Sequence, residues 1–119
     1  MISIIDDDHG VREGTASLLR SLGYEVQTFE SGRAFLDWDG SKSSVCCAIV
    51  DITMPEVDGF ELHRQLVRDG CRFPIIFLTA LTDAVATARI RECHVHSVLT
   101  KPCSEQKLVD CVESALAKQ

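Results

Sequence analysis

Three consecutive carboxylates, Asp6, Asp7 and Asp8, follow the short apolar run of residues 2–5. Acids crowded at the end of a buried strand repel one another, and the arrangement costs stability unless a counter-charge sits among them. Three other apolar segments end in groups with chemistry of their own. "CCAIV" ends at Asp51, "PIIFL" at Thr79, and "HSVLT" is followed by Lys101. If these segments are parallel strands, their carboxyl ends lie on one edge of a sheet. The acids then share a pocket with a single ammonium and a single hydroxyl. All-oxygen donors favour a hard cation, and Mg²⁺ is the natural candidate, with Mn²⁺ as an alternative. A pocket with such an ion, a lysine and a hydroxyl suits a phosphoryl group, whose oxygens they neutralise and bind. A carboxylate can itself be the nucleophile, giving an aspartyl-phosphate. Asp51, alone on its turn, is the better nucleophile. Asp6 and Asp7, adjacent on one loop, are the better metal holders. Asp8 lies where a helix begins, and an Asp there caps free N–H groups.

The segments between the strands read as the helices needed to position these residues. Val11, Thr15, Leu18, Leu19 and Leu22 recur at helical spacing, and Gly23 stops the pattern. "YEVQTF" alternates polar and apolar residues, as a strand near an edge does. Ser31 caps a short helix with Ala34, Phe35 and Trp38, and "DGSKSS" is a polar loop. Gly59, Leu62 and Leu66 mark one face of a helix that stops near Gly70. Residues 83–92 form a weaker helix. Ser104 caps a last helix with the stripe Leu108, Val112, Ala115 and Leu116. The order is a strand followed by a helix, five times over. That alternation predicts an α/β fold: a parallel sheet with right-handed crossovers and helices on both faces. Ligands in such sheets bind at the carboxyl ends of the strands.

At 119 residues with 45% hydrophobic and 25% charged residues, one globular domain spanning 1–119 is expected. The net charge of −6 and the lack of a Lys/Arg cluster argue against direct nucleic-acid binding by this domain. The longest apolar runs are too short to span a membrane, and no signal peptide is visible, so a cytoplasmic location is expected. The six cysteines include no Cys-x-x-Cys pair. Cys46 and Cys47, neighbours in an apparent strand, should face opposite sides, which makes a shared zinc site a poor reading. "CHVH", residues 93–96, is read as a loop. Arg12, Glu13, Arg64 and Arg68 are read as solvated helix faces.

The motifs "IIDDD", "VDITMPEVDG", "FLTA" and "LTKP" together resemble the receiver domain of two-component response regulators. Each is weak alone; their order and spacing cover almost the whole chain. The resemblance implies a flavodoxin-like, doubly wound five-stranded sheet, (βα)5, with strand order 2-1-3-4-5. It implies that Asp51 accepts a phosphoryl group from a sensor histidine kinase. Asp7 would bind Mg²⁺ directly, Asp6 partly through water, and the backbone carbonyl of Thr53 would complete the metal site. Thr79 and Lys101 would contact the phosphoryl oxygens. The domain would not be an enzyme in the ordinary sense, although it catalyses its own phosphorylation and slow dephosphorylation. Its partners would be the kinase, a C-terminal DNA-binding output domain outside this chain, and a second copy in a phosphorylated homodimer. Met54-Pro55 followed by Asp58-Gly59 looks closest to receivers that precede LuxR-type DNA-binding domains. The resemblance also implies a cis bond at Lys101-Pro102.

Taken singly, Asp51 is a turn acid, Thr79 a strand-end hydroxyl and Lys101 a solvated side chain; their joint placement carries the reading. Three rivals are less well supported. A haloacid-dehalogenase-like phosphohydrolase would carry a second Asp where Thr53 stands. A flavodoxin-like binding module would need a phosphate loop where residues 6–8 place acids. A degenerate receiver, acting only by protein binding, would lack a core position, and none is missing. Departures from the family pattern are Val98, where an aromatic is frequent, His94-Val95 for Gly-Ala, and Cys103 after Pro102. Val98 should shift the switch to the loop after Thr79, helix 83–92, the fifth strand and the last helix. Small Ala80, with Leu81 and Thr53 offering no carboxylate or amide to position water, predicts a long-lived phosphorylated state.

Overall fold

The computed structural model describes residues 1–80 and 84–117. Five parallel strands form one sheet: β1 (Ile2–Ile5), β2 (Val26–Phe29), β3 (Cys47–Asp51), β4 (Ile75–Thr79) and β5 (Ser97–Thr100), in the order β2-β1-β3-β4-β5. Five α-helices alternate with them: α1 (His9–Ser21), α2 (Gly32–Asp37), α3 (Gly59–Arg68), α4 (Ala84–Glu92) and α5 (Glu105–Ala117). A single 3₁₀ turn, Lys42–Ser44, lies in the loop before β3. The expected (βα)5 arrangement and strand order are those observed. Leu81 and Asp83, invoked above for dephosphorylation and the start of the fourth helix, lie outside the described residues.

Two cores follow from the period-two alternation of the strands. Ile5, Ala48, Val50, Ile75 and Phe77 face α2 and α3, where Phe35, Leu62 and Leu66 meet them. Ile2, Ile4, Cys47, Ile49, Ile76 and Leu78 face α1 and α5, against Ala16, Leu19, Leu108, Val112 and Ala115. β1, β3 and β4 are buried throughout because helices cover both faces. β2 and β5 are the edges, with mixed burial.

Caps set the helix starts. Asp8 accepts from the Val11 N–H at 3.0 Å, Ser31 from Ala34 at 3.0 Å, and Ser104 from Lys107 at 3.1 Å. Asp58 does the same for α3, accepting from Glu61 N–H at 2.9 Å. The Asp-x-x-Glu spacing of Asp58 and Glu61 carried that signal in the sequence. Three expectations need correction. Leu22, assigned to the buried stripe of α1, is 51% exposed. The helix ends at Ser21, so Leu22 leaves the helical face, and Gly23 follows at φ +93°. Cys46 precedes β3, so both it and Cys47 pack on the α1/α5 core rather than on opposite faces. Arg12 is not solvated: its side chain is only 12% exposed.

Gly59 brings α3 close beneath the loop after β3. Its N–H donates to the Ile52 carbonyl at 2.8 Å. A Cβ there would meet Ile52 Cα at 2.7 Å and the Asp51 carbonyl oxygen at 3.0 Å, both backbone atoms. Gly59→Ala must push α3 away from that loop and should cost about 1–3 kcal/mol, read from urea unfolding. A variant as stable as the parent would refute the close approach.

Candidate functional site

The polar edge lies where the sheet changes winding direction, between β1 and β3. Asp6 follows β1 and is fully buried; Asp51 ends β3 and is 5% exposed; Thr79 ends β4 and is 3% exposed. Lys101 follows β5, and its backbone N–H donates to the Thr79 carbonyl at 2.8 Å. The ammonium of Lys101 stands 3.2 Å from Asp6 Oδ2 and 3.3 Å from Asp51 Oδ1. The Lys101-Pro102 bond is cis, as expected. Asp6 Oδ1 accepts from the Asp8 N–H at 2.9 Å, which folds the acidic loop into a tight turn. Asp7 is exposed at its tip. Ligand oxygens of Asp6, Asp7 and Asp51 lie within 4.8 Å of one another, and no other group of three acid, histidine or cysteine side chains does so among the described residues.

The site residues named from sequence therefore converge. Asp6, Asp7, Asp51 and Lys101 share one cluster, and Thr79 ends the adjoining strand. Thr53 is exposed beside it, and its N–H donates to Asp51 Oδ1 at 3.3 Å. "CHVH" is indeed a loop between α4 and β5. Pro55 and Val57 close a tight turn around Glu56, whose φ is +64°.

The electrostatics explain why three acids tolerate this packing. Burial raises the Asp51 pKa, from 3.8 to about 6; the Asp6 charge and the Asp7 carboxyl act in the same direction, and Lys101 opposes them. Burial alone would lower the Lys101 pKa, but the charges of Asp6 and Asp51 outweigh it and hold the ammonium above its usual range. The donor set is a hard-oxygen cluster that fits a small divalent cation.

The chain matches the family model described as the response regulator receiver domain over residues 2–113. It belongs to the response regulator receiver family. The response regulator protein TodT of Pseudomonas putida is 36% identical over 116 residues, 98% of this chain and 51% of that protein. The transcriptional regulatory protein TdiR of Thauera aromatica is 38% identical, again over 98% of this chain and 51% of the relative. The structure of response regulator StyR superposes with a TM-score of 0.89 at 38% identity, covering 98% of this chain and 59% of that one. The receiver thus spans about half the length of the curated relatives it matches. Within the described residues, no helix of this receiver is long and apolar enough to cross a membrane.

A pH test follows from the raised Asp51 pKa. The folded state holds a proton on Asp51 at pH values where the unfolded chain has lost it. Stability in metal-free buffer should therefore increase as pH falls from 7 through 6 toward 4, an effect on the order of 2 kcal/mol. Asp51→Asn should flatten that part of the profile. Parallel melting curves of the two proteins check it; the same slope in both would refute the assignment to Asp51.

Proposed function

We propose that this receiver is a phosphorylation-activated switch in which Asp51 takes the phosphoryl group from a sensor histidine kinase. The observation that carries the reading is the Lys101 ammonium bridging Asp6 and Asp51 at 3.2 and 3.3 Å beside the Asp6, Asp7 and Asp51 oxygens. Asp6 is occupied on both oxygens, by the Asp8 N–H and by Lys101. Asp51 has a proton affinity raised by burial and by its acidic neighbours, which suits it to attack phosphorus. Its carboxylate oxygen forms the new bond to phosphorus, and the bond to the donor's nitrogen or oxygen breaks with its electron pair. Lys101 and the Thr79 hydroxyl receive the transferred group's oxygens. Asp7, Asp6, Asp51 and the Thr53 carbonyl would hold Mg²⁺, or Mn²⁺ in its place. The cation supplies charge neutralisation for the phosphoryl oxygens.

The half of TodT and TdiR that this receiver leaves uncovered supports a longer regulator, and TdiR's name as a transcriptional regulatory protein supports a transcriptional output domain, of the LuxR type given the loop pattern at residues 54–59. The domain acts in the cytoplasm and binds no nucleic acid itself. The readout runs through α4, β5 and α5, with a phosphorylated homodimer as one form of it. α4 buries only Ala86 among its described residues, and Val98 is 37% exposed, so this face is weakly held and open to a partner.

Incubation with acetyl phosphate tests the reading by intact mass. One phosphoryl group should be added with Mg²⁺ and essentially none with a chelator present. Uptake that ignores the metal would overturn the metal-assisted form of the proposal.

A further inference from the structure

Arg12, read from the sequence as a solvated side chain, is largely covered. It sits in the first turn of α1, its N–H bonded to the Asp8 carbonyl at 2.9 Å, and its side chain is 12% exposed. Guanidinium groups are seldom buried without defined partners. Here Nη1 donates to the backbone carbonyl of Asp6 at 2.9 Å, Nη2 lies 3.1 Å from His9 Nδ1, and Nε is 3.8 Å from Glu13 Oε1. The Asp6 carbonyl lies one residue past the end of β1, where a buried carbonyl needs a new donor. The Asp6 N–H still reaches β2, at the Phe29 carbonyl, 3.1 Å away. The Asp6 residue is thus tied to a neighbouring strand through its N–H and to α1 through its C=O.

We propose that Arg12 is a positioning residue for the acidic pocket: by holding the Asp6 carbonyl it fixes the Asp6–Asp7 peptide plane, and with it the direction of the Asp7 carboxylate toward Asp51. The peptide group is rigid and planar, so fixing its C=O also fixes its N–H on Asp7. Among the described residues, no backbone hydrogen bond ties Asp7, exposed at the tip of the turn, to the sheet. This inference rests on the phosphoacceptor reading above.

A positioning role and a charge role predict opposite signs. As a nearby positive charge, Arg12 would weaken cation binding, and its removal would tighten it. As a positioning group, its removal loosens Asp7 and weakens binding. Mg²⁺ affinity by calorimetry, with melting in chelator as a control, separates them. Arg12→Ala should weaken Mg²⁺ binding about 10-fold, the usual scale for a residue that orients a ligand. Arg12→Gln, which keeps an N–H donor without charge, should recover most of that loss. Arg12→Met, which keeps the packed stem, replaces Arg12→Ala if the latter does not fold. Tighter Mg²⁺ binding in these variants, or unchanged binding with a lowered melting temperature, would overturn the proposal. Failure of the phosphoacceptor reading looks different: the parent protein itself would take up no phosphoryl group on Asp51.

Discussion

Asp51→Asn should abolish phosphoryl uptake from acetyl phosphate, leaving no adduct in the intact-mass spectrum while the parent gains one. The substitution keeps the shape of the side chain and replaces the nucleophilic carboxylate with a neutral amide. Asp6 and Asp7 should not substitute for it. Asp6 has both oxygens bound, one by the Asp8 N–H and one by Lys101, and Asp7 lies exposed at the rim. The same variant should melt higher than the parent in metal-free buffer at pH 7, because one of three mutually repelling carboxylates is gone. The two readouts together exclude a trivial loss of folding. Equal phosphoryl uptake by Asp51→Asn would reject Asp51 as the acceptor.

Lys101→Met should produce the largest loss of stability without metal. The ammonium serves two carboxylates whose side chains are 1% and 6% exposed. Removing it leaves buried charges uncompensated, at a cost on the order of 3 kcal/mol. In a domain of this size that is a fall in melting temperature of roughly 10 °C. The loss should shrink toward pH 5, where a carboxyl takes up a proton in place of the missing cation. Mg²⁺ should stabilise the variant more than it stabilises the parent, since it supplies the absent positive charge. Scans with and without Mg²⁺ at pH 7 and pH 5 provide the check. A variant that melts with the parent in metal-free buffer would show that the Lys101 bridge contributes nothing.

Local physics made most of the architecture legible in the chain. The strand runs are apolar because helices cover both faces, and the caps at Asp8, Ser31 and Ser104 are visible as single residues ahead of periodic patterns. Parallel strands bring their carboxyl ends to one edge, so Asp6, Asp7, Asp51, Thr79 and Lys101 could be assigned to one pocket without coordinates. What the periodicity could not carry is the contact made across elements. Arg12 lies off the apolar stripe of α1 and reads as solvent-facing; its side chain is only 12% exposed, with the guanidinium reaching back to the Asp6 carbonyl in the turn before the helix. Leu22 reads as part of the stripe and is exposed because the helix stops one residue earlier. Cys46 reads as a strand residue, but it precedes the ladder and its thiol turns to the Met1 carbonyl at 3.2 Å. Residue type and order along the chain determined the fold, the polar edge and the inventory of its groups. Tertiary structure alone decided which two acids the lysine bridges, how far burial raises the proton affinity of Asp51, and which side chain reaches the carbonyl of the acidic turn. Those depend on distances between segments far apart in sequence and on exclusion of water, neither of which a local pattern encodes.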